Sequence, residues 1–303
     1  MDFEKERSSE SNSQIQSIQF SKITTEPSLD GNERSSFQQI TSYSSMSTAG
    51  KNLQLKRKVR LKHSSGPLTE KTLKGVADYI LSGKCKNIIL LAGAGISTAA
   101  GIPDFRSPVT GLYNIAEKLN IPPESIFDID YFKTNPQPFY NICKTYIDVL
   151  GNAKPTLTHF FIRLLADKNI LLKLYTQNVD GMERLAGLES KHIIEAHGTL
   201  TTASCINCHA KFSIEIFKQC VQSETISYCS QCNGLVKPDV VFFGERLPEY
   251  FFDSIESDCK NCDLMIIAGT SLHVYPISLI TQLIPPDVPR VVINKEKVGT
   301  FEI

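Results

Sequence analysis

From Met1 to about Ser65 apolar residues are scattered singly among Ser, Gln, Glu and Thr, whereas from Leu68 onward they fall into periodic runs. The first stretch carries too little apolar surface to offset the entropy of ordering, which predicts a disordered tail over residues 1–65. Leu73, Val76, Ala77, Ile80 and Leu81 then recur at helical spacing, with Gly83 as a stop signal. Four short apolar segments follow, each running straight into a polar cluster. Asn87–Ala92 leads into Gly93-Ala94-Gly95, and Ile170–Thr176 into Gln177-Asn178-Val179-Asp180. Leu264–Ala268 leads into Gly269-Thr270-Ser271, and Arg290–Ile293 into Asn294-Lys295-Glu296. Thr158–Asp167 reads as a helix between two of them. Strands that are apolar throughout suit a parallel sheet covered on both faces, an α/β fold. Ligands bind such sheets beyond the carboxyl ends of the strands, where all four polar clusters stand.

Charge and composition narrow the function classes. The 32 Lys+Arg balance the 32 Asp+Glu, so no global field draws the chain to nucleic acid or to an anionic membrane. The apolar runs are strand-length, far short of the roughly 20 residues a membrane helix needs. The start, Met1-Asp2-Phe3-Glu4-Lys5-Glu6, lacks the apolar stretch of a signal peptide and is too acidic for a mitochondrial transit peptide. The cytoplasm is the expected compartment, ahead of the mitochondrion. The basic run Lys56-Arg57-Lys58-Val59-Arg60-Leu61-Lys62 is either a nuclear import signal or a solvated linker.

Nine cysteines in such a chain point to thiols or metal ligands. Cys205-x2-Cys208 and Cys229-x2-Cys232 are separated by 20 residues, the spacing of a closed, four-thiolate structural zinc site, one per chain. Between the pairs Lys211 and Lys218 are offset by Glu215 and Glu224, which argues against a nucleic-acid-binding ribbon. Cys259 and Cys262 have no companion pair and read as incidental free thiols at a loop. A redox motif would need a helix N-terminus after the first Cys, and a strand follows instead.

Gly93-Ala94-Gly95-Ile96-Ser97 stands at an expected strand-to-helix turn, where glycines and a helix dipole favour a pyrophosphate, or where a turn needs glycine without any ligand. The strict dinucleotide fingerprint would have a third glycine where this chain has Thr98. The Pro/Gly-rich loop Thr98–Pro108 sets Asp104, Phe105 and Arg106 side by side. An aromatic there can shield a reactive sugar while the charges orient polar groups, or Asp104 and Arg106 simply pair. His197 follows a short segment, His192–Glu195, and titrates near neutrality, which makes it the best general-base candidate. On residues alone, Gln177, Asn178 and Asp180 read as a hydrogen-bonded turn, and Phe242-Phe243-Gly244-Glu245 as an edge strand ending in Gly-Glu.

Taken in order, Gly93-Ala94-Gly95-Ile96-Ser97, Gly101-Ile102-Pro103-Asp104-Phe105-Arg106, Thr176-Gln177-Asn178-Val179-Asp180, Glu195-Ala196-His197-Gly198, Lys237–Glu245 and Gly269-Thr270-Ser271 resemble the sirtuin motifs. The resemblance spans Leu68 to Glu296 and is to the deacetylase branch found in cytoplasm and mitochondria. It implies a Rossmann-like parallel sheet from residues 66–107, 155–200 and 235–303. A smaller discontinuous domain would combine a helical insertion, 108–154, with the four-cysteine zinc module, 201–234. NAD would lie in the cleft between them, held by Gly93, Ala94, Gly95, Ile96, Ser97, Asp104, Phe105, Arg106, Gln177, Asn178, Asp180, Gly269, Thr270, Ser271, Asn294, Lys295 and Glu296.

The catalytic pair would be His197, which takes a proton from the ribose hydroxyls, and Asn178. Val241, Phe242, Phe243, Gly244 and Glu245 would pair with the backbone of an extended acyl-lysine substrate. The implied reaction is NAD-dependent protein-lysine deacylation giving nicotinamide, O-acyl-ADP-ribose and free lysine, with zinc as a clamp. Its substrates would be acyl-lysine proteins, histones or tubulin-like cytoplasmic proteins among them, and the enzyme a monomer acting without nucleic acid or membrane. Protein mono-ADP-ribosylation stays open, as does a catalytically weak NAD- or peptide-binding form, because sirtuin cores continue beyond the position of Asn294-Lys295-Glu296 and this chain ends at Ile303. The branch that removes acidic acyl groups carries a Tyr and an Arg in its acyl pocket. Tyr113 is followed three residues on by Ala116, with Lys118 as the one nearby cation, so neutral acyl groups are expected to be preferred.

Overall fold

A computed structural model of the protein describes residues 17–21, 66–104 and 121–299. It contains strands β1 (Ser17–Ser21), β2 (Ile88–Ala92), β3 (Leu171–Thr176), β4 (Ile193–Glu195), β5 (Gly198–Cys205), β6 (Lys211–Phe212), β7 (Val236–Val240), β8 (Leu264–Ala268) and β9 (Arg290–Asn294). The helices are α1 (Leu73–Leu81), α2 (Pro123–Ile126), α3 (Ile129–Thr134), α4 (Gln137–Leu150), α5 (Leu157–Asp167), α6 (Met182–Leu185), α7 (Ile214–Gln222), α8 (Glu249–Lys260) and α9 (Ile280–Leu283). One sheet has the strand order β1-β9-β8-β2-β3-β4, its last five strands parallel, and a separate antiparallel sheet has the order β6-β5-β7. This is the expected α/β, Rossmann-like architecture with an added small sheet.

The described chain divides into two compact units. The first takes in residues up to Ile89, Phe252–Ile267 and Ser271–Ile303. Helix α1 opens where the apolar periodicity placed it, because Thr72 accepts the Gly75 amide at 3.1 Å as an N-cap. Every residue of β8 is buried, as a strand covered on both faces requires. Arg290, 2% exposed, donates to the carbonyls of Thr281 and Ile284 and so ties β9 to the end of α9. Ser17–Ser21 differs from the expectation of an unstructured tail: it pairs antiparallel with β9, Ile18 opposite Ile293 and Phe20 opposite Val291. Ser-Ile-Gln-Phe-Ser alternates polar and apolar residues, the period of an edge strand, and five residues are too short a window to stand out from composition. The basic run 56–62 lies outside the described residues.

The second unit runs from Leu90 to Phe251 and adds Ala268–Thr270. Its core joins the helical insertion to the small sheet. Phe132, Phe139, Tyr140, Phe217, Val236 and Phe242 are each 3% exposed or less. Phe139 meets Phe242 edge-on at 4.7 Å, and the buried Tyr140 hydroxyl donates to the Val236 carbonyl at 2.6 Å. A lone helical insertion could not bury this much aromatic surface, so α4, α7 and β7 need one another to fold.

Candidate active site

The site is assembled from the carboxyl ends of β2, β3 and β4. Beyond β2, the Gly93 amide donates to the Ala268 carbonyl at 3.0 Å and the Gly95 amide to the Gly269 carbonyl at 2.8 Å. The two loops approach so closely that a Cβ on Gly95 would lie 2.7 Å from Gly269 Cα, and one on Gly269 would lie 2.6 Å from the Ile96 amide nitrogen. Glycine is needed here for loop against loop as much as for any ligand. In place of the expected helix N-terminus, Ala94–Ile96 and Thr98–Ala100 are two short 3-10 turns. The amides of Gly93, Gly95, Ile96 and Ser97 all donate to the protein's own carbonyls. Gly101 takes a left-handed φ of 81° and ends the second of these turns. Asp104 is half-buried, and the loop before it is pinned by the Tyr146 hydroxyl, which donates to the Pro103 carbonyl at 3.0 Å. Phe105, Arg106, Tyr113, Ala116 and Lys118 lie outside the described residues.

Beyond β3 the chain turns at once. Gln177 donates its amide to the Ala92 carbonyl at 2.9 Å, and its side chain exchanges hydrogen bonds with the Thr270 hydroxyl. Asn178 and Asp180 are each only 7% exposed. The Asn178 amide donates to Thr176 Oγ1 at 3.1 Å and its Nδ2 to Ser97 Oγ at 3.3 Å, while Asp180 Oδ1 accepts the Met182 amide at 2.9 Å. Ser97 is also met by His159 Nε2 at 3.4 Å, and His159 Nδ1 accepts the Thr156 amide at 3.0 Å. An Nδ1 that accepts must be unprotonated, so Nε2 carries the hydrogen and donates to Ser97. Sequence reasoning missed this buried Thr156–His159–Ser97 chain. Its only local signal was a Thr three residues ahead of a His at the start of α5.

His197 sits between β4 and β5. Its Nδ1 lies 3.1 Å from the Gln177 carbonyl oxygen, and its own carbonyl accepts the Val241 amide at 2.9 Å. Gly198 follows with φ 74°, and a Cβ there would stand 1.8 Å from the Asp239 carbonyl oxygen, so only glycine lets β5 turn in beside β7. Burial pulls the His197 pKa below its ordinary value, against the opposing pull of the Gln177 carbonyl. A carbonyl only accepts, so Nδ1 carries the hydrogen and Nε2 keeps its lone pair. That is the tautomer of a general base.

Val241–Glu245 departs from the expected edge strand, since β7 stops at Val240. The Lys237 ammonium is buried, donates to the Val240 carbonyl at 2.6 Å and meets Glu245 at 3.0 Å. Glu245 in turn accepts the Phe242 amide at 2.8 Å, which curls the segment into a clamped loop. Phe242 is buried in the aromatic core. Phe243 is 51% exposed, with its amide donating to the Phe127 carbonyl and its carbonyl accepting from Ile129. Ser271, Asn294, Lys295 and Glu296 belong to the first unit, where Asn294 Nδ2 donates to the Glu296 carbonyl at 3.0 Å.

The four cysteines converge as their spacing implied. All four sulfurs lie within 4.8 Å of one another, with Cys205 to Cys232 at 3.4 Å and Cys208 to Cys229 at 3.6 Å. Zinc–sulfur bonds of about 2.3 Å in a tetrahedron give edges of roughly 3.8 Å, so the donor set fits zinc. The pairs are built alike, each turn ending on a left-handed residue, His209 or Asn233, both with φ 57°. The Asn207 and Gln231 amides point at Cys205 and Cys229 sulfurs, each at 3.4 Å, which favours thiolates. Cys259 and Cys262 are free and buried, Cys259 in the last turn of α8 and Cys262 in the loop before β8, and burial raises their pKa values to about 12 and about 11. Such thiols are unreactive.

The Sir2 family model matches residues 93–276. The chain belongs to the Sir2 family. This Sir2-family chain is 52% identical over 238 residues to an NAD-dependent protein deacetylase, sirtuin-2, of Danio rerio, covering 78% of this chain and 62% of that protein. It is 47% identical over 237 residues to the NAD-dependent deacetylase sir2A of Dictyostelium discoideum, covering 77% of this chain and 46% of the relative. It is 46% identical over 234 residues to the NAD-dependent protein deacetylase hst2 of Schizosaccharomyces pombe, covering 77% and 70%. The chain thus spans 62% and 46% of the lengths of the first two relatives.

Proposed function

We propose that this Sir2-family protein is an NAD-dependent protein-lysine deacetylase. The observation that carries the reading is His197, neutral and held by the Gln177 carbonyl so that Nε2 can take a proton, bonded to the turn that carries the buried side chains of Asn178 and Asp180. Relatives named as NAD-dependent protein deacetylases support the same reaction.

The donor set suits NAD: an amide and a carboxylate, both buried, match a carboxamide and a ribose, and Gln177 and Ser97 add polar groups at the same strand ends. When bound, NAD would supply an electrophilic ribose carbon: nicotinamide would leave, the acyl group of the lysine would pass to the ADP-ribose, and water would complete the release of free lysine. Asn178, tethered through Ser97 and Thr176, and Asp180 hold the nicotinamide end, while His197 removes the ribose hydroxyl proton. Gly93–Ser97, Asp104, Phe105, Arg106 and Gly269–Ser271 serve the phosphates and the nicotinamide ribose, and Asn294, Lys295 and Glu296 the adenosine end. The clamped loop Val241–Glu245 presents backbone to an extended acyl-lysine substrate. Zinc on the four cysteines is a structural clamp, since four thiolates leave no open position.

The substrates are acyl-lysine proteins, with histones and tubulin-like proteins as first candidates. The protein acts as a monomer in the cytoplasm or nucleus, which sedimentation and cell fractionation test. Mass spectrometry of an acetyl-lysine peptide with and without NAD tests the reaction. NAD-dependent loss of the acetyl mass supports it, and transfer of labelled ADP-ribose to protein without deacetylation overturns it in favour of ADP-ribosylation.

A further inference from the structure

Behind the turn that carries Asn178 and Asp180 lies a carboxyl group with no part in the reaction so far. Glu183, in α6, is 2% exposed. Its Oε1 accepts the Thr176 hydroxyl hydrogen at 2.7 Å, and the same Thr176 oxygen accepts the Asn178 amide at 3.1 Å. A carboxylate oxygen of Glu183, one of Asp180 and a ring nitrogen of His159 all lie within 4.8 Å of one another. This is not a vacant metal site: one nitrogen of His159 is engaged by Thr156 and the other by Ser97.

Two carboxylates this close and this buried cannot both stay charged without a cation between them. Facing Glu183 are Asp180 from the turn, His159 from α5, Glu195 from β4 and, on its own helix, Arg184. Arg184 is committed to Glu195, with contacts of 3.2 and 2.8 Å, and His159 is kept neutral by burial. Tyr146, whose pKa burial raises, adds no positive charge near Asp180.

We infer that Glu183 is the positioning residue for Asn178 and Asp180: its buried carboxyl group clasps the Thr176 hydroxyl and holds a proton of its own beside Asp180. The inference rests on the reading of Asn178 and Asp180 as the nicotinamide end of an NAD site. Burial first, and the Asp180 charge second, raise the Glu183 pKa to about 7, so the proton stays in place below neutrality and is lost above it. Once it is lost, two adjacent anions push the turn out of register.

Wild type, Glu183→Gln and Glu183→Ala are to be compared by thermal melting across pH and by kcat and KM for NAD. Glu183 binds its proton more tightly folded than unfolded. Wild type therefore loses stability relative to Glu183→Gln as pH rises from the unfolded value, 4.5, to about 7, with a constant difference beyond. Below neutrality Glu183→Gln, a neutral isostere, keeps KM for NAD within about threefold of wild type, because its amide still serves Thr176 and Asp180. It also lacks the decline in kcat/KM that wild type shows above neutrality. Glu183→Ala raises KM for NAD about tenfold with a smaller change in kcat, since Thr176 loses its acceptor.

Parallel melting curves for wild type and Glu183→Gln would overturn the proton held on Glu183, and a wild-type KM in Glu183→Ala would overturn the positioning role. A wild type without NAD-dependent turnover would count against the proposed function, while the melting comparison would still decide the proton.

Discussion

At the residue scale the proposed chemistry concentrates in one ring. His197 has its hydrogen fixed on Nδ1 by the Gln177 carbonyl, so removing the ring removes the proposed base without removing a core side chain. Steady-state assays of His197→Ala should show turnover reduced by about 10² to 10⁴, with an unchanged melting profile. Undiminished turnover would take His197 out of the mechanism. Because burial lowers its pKa, His197 stays neutral at pH values where an ordinary histidine is protonated. The acid limb of kcat/KM is therefore expected below the ordinary value of 6.5, and a limb above it would show that the ring is charged in the free enzyme.

At the element scale the decisive piece is the loop after β7. Its shape depends on one buried ammonium, since Lys237 holds the Val240 carbonyl and Glu245, and Glu245 holds the Phe242 amide. Lys237→Met fills the same volume but leaves the carboxylate and the carbonyl without their cation. Glu245 keeps 29% of its side-chain surface, so water offsets part of the loss, and a cost of about 1–3 kcal/mol is expected. If this loop presents backbone to the acyl-lysine peptide, Lys237→Met raises the peptide KM and leaves the NAD KM close to wild type. Equal effects on both would mean that the loop supports the whole site rather than the peptide side.

At the scale of the molecule, the small sheet and the helical insertion share one core, and the four cysteines close the end of that sheet remote from Gly198. Metal analysis should find one zinc per chain, lost in Cys205→Ser and kept in Cys259→Ser. Chelation should unfold this unit and abolish activity, because metal binding there is folding free energy. Two zincs, or one that depends on Cys259, would show the wrong pairs to have been chosen. Gly198→Ala reaches the same core from the other side: a left-handed φ and a carbonyl 1.8 Å from the new Cβ predict lost stability and a displaced His197, read as a lower melting temperature and reduced turnover.

Period and spacing alone were enough to place α1, β2, β3, β8, β9 and the four zinc ligands, because each depends on near neighbours: an apolar run, a cap, a two-residue gap between thiols. The order of the motifs was enough to bring Gln177, Asn178, Asp180 and His197 to the ends of β3 and β4. What the chain order could not say is where a long-range partner takes a donor or lends a charge. The amides of Gly93 and Gly95 are taken by carbonyls from Ala268 and Gly269, far along the chain, so these glycines also serve a loop contact. Lys237 turns an expected edge strand into a clamped loop only because its ammonium is buried against Glu245. His159 and Glu183 look like an ordinary helix histidine and an ordinary surface acid in the sequence. Tertiary burial, by removing the water that would otherwise solvate them, makes one a hydrogen-bond link to Ser97 and the other a holder of a proton beside Asp180.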